Sequence, residues 1–217
     1  VGDVDIQTAH GPAEVTLDEP ADPGFLLVLT HGSNGGVQAA DLLAVREAAL
    51  ALGGAVARVM QPFRVAGRRF PGNAAQQDEA WLEVVGALRE RFGDLALIQG
   101  GRSNGARVAC RTARRAGARG VLALAFPLHP PGRPERSRAD ELRVAREDGD
   151  ESWAATEVLV VNGDRDPFGI PDAADATRVE VLPGERHDLS KNPAAVGAVV
   201  GPWLRRWARP PGGRPMH

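Results

Sequence analysis

Leu95-Ala96-Leu97-Ile98-Gln99-Gly100-Gly101-Arg102-Ser103-Asn104-Gly105 is the stretch that decides the fold. It opens with a short apolar run of the kind required by a strand buried on both faces. From Asn104 to about Ala116 the pattern turns helical, and Gly117 ends it. Ser103 therefore stands at a sharp strand-to-helix turn. Side chains two places before and after such a turn crowd the neighbouring strand and helix, so only very small residues fit. Gly101 and Gly105 fill those places. In this setting Gly-x-Ser-x-Gly predicts a serine hydroxyl held clear of a sheet edge; without the strand and helix the same pattern would carry little weight.

Outward from the turn, similar apolar runs occur at Phe25–Thr30, Ala55–Met60, 121–126 and 158–161, with a weaker one at Arg178–Leu182. Trp81, Val84, Val85, Leu88 and Phe92 recur at helical spacing between two of them. So do Val196, Val199, Val200, Trp203, Leu204 and Trp207, preceded by Asn192 as a cap and Pro193 in the first turn. Strands alternating with helices predict parallel βαβ units in a doubly wound, mostly parallel sheet, an α/β fold of three layers. Segment 14–17 is expected to add an antiparallel edge strand before the parallel part. Region 127–155, rich in Pro, Arg, Asp and Glu, reads as a polar excursion that replaces an expected helix. No repeat or linker divides the chain, so residues 1–209 read as one domain and 210–217 as a flexible Pro/Gly-rich tail.

A length of 217 residues suits one domain with a sizeable core better than two. The 43% hydrophobic and 25% charged residues are the proportions of a globular protein, not of a disordered one. A net charge of −2 speaks against nucleic acid or an anionic membrane as the main partner. Lys191 is the one lysine among basic residues that are otherwise arginine, a bias that GC-rich coding explains. The single cysteine, Cys110, leaves no intramolecular disulfide or Cys-based metal site and suits a reducing, cytoplasmic setting. Its place two turns into the helix after Ser103 reads as packing. The first five residues lack the basic-then-apolar order of a signal peptide, and no apolar run is long enough to span a bilayer.

A serine hydroxyl is a weak nucleophile unless a base takes its proton. Of five histidines, His10 and His217 lie near the termini, and His31 is placed to brace the loop after Phe25–Thr30. His187, in Pro183-Gly184-Glu185-Arg186-His187-Asp188, is the expected general base, with His129 as its rival. The acid comes from Asp164-Arg165-Asp166-Pro167-Phe168-Gly169. Asp166 is preferred because Pro167 fixes a turn behind it; Asp164 is the alternative. Both loops follow strands, and active-site groups of open α/β sheets gather at the carboxyl ends of strands. A metal held by Asp164, Asp166 and His187 is a further possibility, but it leaves the serine turn unexplained. No cofactor is expected.

Negative charge developing on a substrate needs preorganised N–H donors. One is the amide of Asn104, at a helix start where the dipole favours an anion. The other lies in Leu29-Thr30-His31-Gly32-Ser33-Asn34-Gly35-Gly36, with Ser33 the first choice and Asn34 the next. Neither a Walker lysine nor a Gly-x-Gly-x-x-Gly frame accompanies this turn, which argues against a phosphate cradle. Arg64, Arg68 and Arg69 follow Ala55–Met60 and so share the same rim. With Arg102 they are candidates to attract an anionic substrate; the alternative is solvent-exposed or loop-pairing arginine.

Together His31-Gly32, Gly101-Arg102-Ser103-Asn104-Gly105, Asp166-Pro167-Phe168-Gly169 and His187 resemble the α/β-hydrolase superfamily, above all its small capless members related to dienelactone hydrolases. The chain is also similar to the hydrolase-like domain of a subunit of a chromatin-associated acetyltransferase complex. Arg68-Arg69-Phe70-Pro71 and Phe126-Pro127-Leu128-His129-Pro130-Pro131-Gly132 match the same group, and the resemblance runs over about residues 13–208. It implies a hydrolase fold with little or no cap. It also implies a serine hydrolase that cleaves esters or thioesters of small acyl substrates through an acyl-enzyme. Amide hydrolysis, carbon–carbon cleavage, acyl transfer and a non-catalytic interaction domain on the same scaffold stay open. Two features depart from the group: stretch 133–155 is longer than usual and has room for a small lid, and Ala106 stands where another glycine is common.

Overall fold

All six residues of Phe25–Thr30 are buried, and their side chains alternate between two apolar clusters. Phe25, Leu27 and Leu29 join one; Leu26 and Val28 join the other. A strand with period-two alternation and apolar residues on both faces has to be covered by helices on both. The computed structural model describes residues 2–146 and 155–209. It has eight strands: β1 Gly2–Thr8, β2 Gly11–Asp18, β3 Phe25–Thr30, β4 Ala55–Met60, β5 Ala96–Arg102, β6 Gly120–Leu124, β7 Glu157–Gly163 and β8 Arg178–Leu182. They form one sheet in the order β1-β2-β4-β3-β5-β6-β7-β8. The pairs from β4 through β8 are parallel, and β1 and β2 are antiparallel to their neighbours.

The helices are α1 Ala40–Leu50, α2 Pro62–Val65, α3 Ala74–Phe92, α4 Asn104–Ala116, α5 Ala139–Arg146 and α6 Pro193–Leu204. Leu42 and Val45 of α1 and Val196, Val200 and Trp203 of α6 cover one face. Trp81, Val84 and Leu88 of α3, Val108 and Cys110 of α4, and Leu142 of α5 cover the other. The expected three layers are therefore present. Strand order reverses at β3 and β5: after β3 the chain crosses to β4 on one side, and after α3 it returns to β5 on the other. The loops leaving these two strands diverge toward opposite faces, which opens a crevice at their carboxyl ends.

Three expectations need correction. Segment 14–17 lies in an antiparallel strand, but that strand is not the edge, because β1 pairs along its outer side. Between β6 and β7 the polar excursion contains helix α5 instead of replacing it. Its prolines end at Pro134, and Ala139, Leu142 and Ala145 then bury one face. Asp140 and Glu141 in its first turn and Arg143 and Arg146 in its last suit the helix dipole. Asn192 occupies the N-cap position of α6 but makes no side-chain cap; its N–H donates to Glu185 Oε1 at 2.5 Å. The tail 210–217 and residues 147–154 of the excursion lie outside the described residues.

Candidate active site

Ser103 joins β5 to α4 with φ 54° and ψ −113°, a conformation that residues with side chains rarely adopt. Its neighbours impose this geometry. Its N–H donates to Leu124 O at 2.9 Å, and its carbonyl accepts from Arg107 N at 3.2 Å. A Cβ at Gly101 would stand 2.5 Å from Thr30 O, and one at Gly105 2.8 Å from His31 O. Both glycines are thus required by close packing of the turn against the end of β3. Below it, buried Gln99 accepts from Trp81 Nε1 and donates to Ala109 O and Thr112 Oγ1, tying β5 to α3 and α4.

The serine hydroxyl meets an imidazole and a carboxylate in series. Ser103 Oγ lies 2.9 Å from His187 Nε2, and His187 Nδ1 lies 2.8 Å from Asp166 Oδ2. With Asp166 ionised and acceptor-only, the histidine carries its proton on Nδ1, so Nε2 is free to accept from the serine. Asp166 is fixed on its other side by the Phe168 N–H, which donates to Oδ1 at 2.9 Å. The Phe168 ring stacks on His187 with centroids 4.1 Å apart. Asn162, fully buried at the end of β7, donates to Gly169 O and Phe126 O and accepts from Phe126 N. Glu185, 2% exposed, accepts from Lys191 N and Asn192 N and closes the loop that carries His187.

The rival residues sit elsewhere. Asp164 is exposed and accepts from Gly184 N at 2.7 Å, pinning the turn after β8. His129 donates from Nδ1 to Pro130 O and packs against Gly169. Among the described residues, no group of three or more His, Cys, Asp or Glu is placed to hold a metal.

On the other side of Ser103, Gly35 N donates to Gly32 O at 3.0 Å and makes Ser33 and Asn34 the centre of a tight turn. A Cβ on Gly32 would stand 3.3 Å from that of Ser103, so this turn lies directly beside the hydroxyl. Asn104 is the first residue of α4, and its N–H has no intrahelical acceptor. Its side chain donates to Gln77 Oε1 at 2.7 Å, and Gln77 Nε2 reaches Gly72 O and Asn73 O. His31 is buried beneath, donating from Nδ1 to Gly32 O and accepting from Gln61 N at Nε2. Burial pushes this imidazole down to about 4, and the nearby charges of Arg64 and Arg102 act in the same direction.

These groups open on a pocket of about 420 Å³ whose wall includes Ser33, Asn34, Arg102, Arg107, Pro127, Arg138 and Phe168. Of the arginines expected on the rim, Arg102 alone lines it. Its Nε is 3.2 Å from Asp41 Oδ2. Asp41 is fully buried, and burial raises its carboxyl to about 6 although Arg102 opposes the shift. Arg68 and Arg69 are exposed, and the structure does not bring them to this pocket. After β4 the chain turns through α2 toward the β1–β2 hairpin. Arg68 there lines a separate cleft of about 370 Å³ with Phe63, Phe70, Pro71 and Trp81. Sequence reasoning missed Phe168, Asn162, Gln77, Arg107 and Arg138. Arg107 was accessible to it, being one helical turn past Ser103; Arg138 was not, because nothing in the excursion marks its direction.

A family model described as an alpha/beta hydrolase domain matches residues 23–194. Among solved structures the chain is similar to XC6422 from Xanthomonas campestris, described as an α/β serine hydrolase without lid. The two share 16% identity over 99% of this chain and 96% of that one, with a TM-score of 0.73. It is also similar to an α/β serine hydrolase homologue from Coxiella burnetii (17% identity, 94% and 97% covered, TM-score 0.74). A third is Est1E from Butyrivibrio proteoclasticus (16% identity, 95% and 99% covered, TM-score 0.73). At such identities the likeness is one of fold. No curated protein matches the chain significantly.

Proposed function

This chain belongs to the α/β-hydrolase domain family, and from that premise we propose that it is a serine hydrolase of esters or thioesters acting through an acyl-enzyme. The observation that supports this reading is the unbroken chain of two hydrogen bonds from Ser103 Oγ through His187 to Asp166. Ser103 Oγ attacks the acyl carbon while His187 Nε2 takes its proton, and the carbonyl π electrons move onto oxygen. Asp166 accepts from Nδ1 throughout, which keeps the tautomer and stabilises the imidazolium. The amides of Asn104 and Ser33 hold the oxyanion in this scheme. Collapse of the tetrahedral adduct breaks the bond to the leaving alkoxide or thiolate, which departs with the proton from Nε2. Water then repeats the sequence on the acyl-serine, yielding a carboxylic acid and restoring the hydroxyl. A small-molecule acyl substrate suits a pocket of this volume.

A fluorophosphonate probe tests the proposal, read beside turnover of activated esters. Labelling of the wild type that disappears in Ser103→Ala, together with ester turnover that falls by about 10³-fold or more, supports it. Folded wild-type protein that neither labels nor hydrolyses would return the chain to the role of a non-catalytic scaffold.

A further inference from the structure

The pocket beside Ser103 is lined by three arginines and by no carboxylate among the described residues. Two of those guanidinium charges are already answered. Arg107 grips Glu141 with Nε and Nη2 at 2.8 and 2.7 Å, and Arg102 faces buried Asp41. Arg138 differs. Its Nη1 donates to Pro127 O at 3.0 Å, and no described carboxylate lies within 4.0 Å of it. A guanidinium has five donors, so four remain without a described protein acceptor. Partial burial, and next the charge of Arg107, lower its proton affinity, while the more distant charge of Glu141 opposes them. The backbone that carries it is fixed: Arg138 N donates to Leu128 O at 2.7 Å, and Arg138 O accepts from Glu141 N. Helix α5 thus neutralises one pocket arginine with Glu141, while the residue just before the helix presents another with no described carboxylate within 4.0 Å.

From this arrangement we infer that the substrate carries an anionic group, which Arg138 holds as its missing counter-ion while Ser103 attacks the acyl carbon. The inference rests on the serine-hydrolase reading and adds the substrate class to it. A carboxylate is the natural group, since a guanidinium fork matches its two oxygens and charge-assisted bonds of this kind are the strong ones. The arginines that carry it are those the fold brings to the pocket, not Arg68 and Arg69.

The test compares the 4-nitrophenyl half-ester of succinic acid with the neutral 4-methylpentanoyl ester, which has nearly the same shape. The wild type is expected to favour the half-ester in kcat/KM by about tenfold or more. Arg138→Gln should lose that preference, mainly through KM for the half-ester, and Arg138→Lys should retain part of it. Arg136→Gln, an exposed arginine of the same loop, should keep the full preference. Protection of Ser103 from a fluorophosphonate by glutarate reads the same contact without turnover, and Arg138→Gln should abolish it. Equal kcat/KM for the two esters, or a preference that survives Arg138→Gln, overturns the inference. If that happens while Ser103 still labels and the neutral ester still turns over, the hydrolase reading stands. If labelling and turnover are both absent, both fall.

Discussion

Ser103 sits in strained backbone, and the two glycines beside it leave no room for relaxation. A methyl group at Gly105 would come within 2.8 Å of both His31 O and Thr30 Cγ2. Gly105→Ala must therefore push α4 away from β3, with an expected loss of about 1–3 kcal/mol in urea unfolding and a fall in turnover. The two aspartates of the β7 loop separate just as cleanly. Asp166→Asn retains an oxygen for Phe168 N but can turn its amide N–H toward His187, favouring the wrong tautomer, so kcat should drop by about 10⁴-fold with folding preserved. Asp164→Asn removes only the carboxylate that holds Gly184 N, and kcat should stay within about twofold of wild type. If the two effects were reversed, the acid has been misassigned. The proximity of Ser103, Asp166 and His187 was legible in the sequence because each stands just past an apolar strand, where a parallel sheet gathers its loops. Arg68 and Arg69 were misplaced for the complementary reason. The end of β4 locates where a loop begins, whereas α2 decides where it goes.

At the scale of elements, the site depends on how strand ends are joined to one another. Asn162 clamps the ends of β6 and β7 to the loop that carries Asp166. Asn162→Ala would leave the buried N–H and carbonyl of Phe126 without their partner, at an expected cost of about 2–4 kcal/mol measured by urea unfolding. Because Gly169 O is released as well, kcat should fall even where the variant is fully folded. Strands β3 to β7 could be read from sequence because both their faces are apolar, so short runs of Val, Leu and Ile stand out. Strand β1 could not. Most of its residues are exposed and only Val4 and Ile6 are apolar, so its existence depends on pairing with β2. Helix α5 was hidden by the prolines before it and by burying two alanines and one leucine, a weak apolar signal among seven or more charges nearby. The same helix supplies Glu141 to Arg107 and Arg111, so its docking on α4 is ionic as well as apolar.

For the molecule as a whole, two buried ionisable groups near the switch point act on stability in opposite directions. His31 is held down to about 4 when folded, against 6.5 in the open chain. Its contribution is complete above pH 6.5 and is lost as pH falls through about 4. Asp41 is raised from 3.8 to about 6. Its contribution is complete below pH 3.8 and is lost as pH rises through about 6. Between about pH 4 and 6 the two slopes oppose each other, each worth on the order of 3 kcal/mol across its window. Asp41→Asn removes one of them. The difference in unfolding free energy, variant minus wild type, should therefore rise by about 3 kcal/mol between pH 4 and pH 6.5. The attraction of Arg102 acts only on the ionised carboxylate and is already contained in the value of about 6, so its loss in the variant adds no further slope. Urea unfolding at half-unit intervals measures the slope directly. A difference that stays flat across the window would mean that Asp41 is ionised throughout and held by Arg102 more tightly than a contact of 3.2 Å without hydrogen-bond geometry allows.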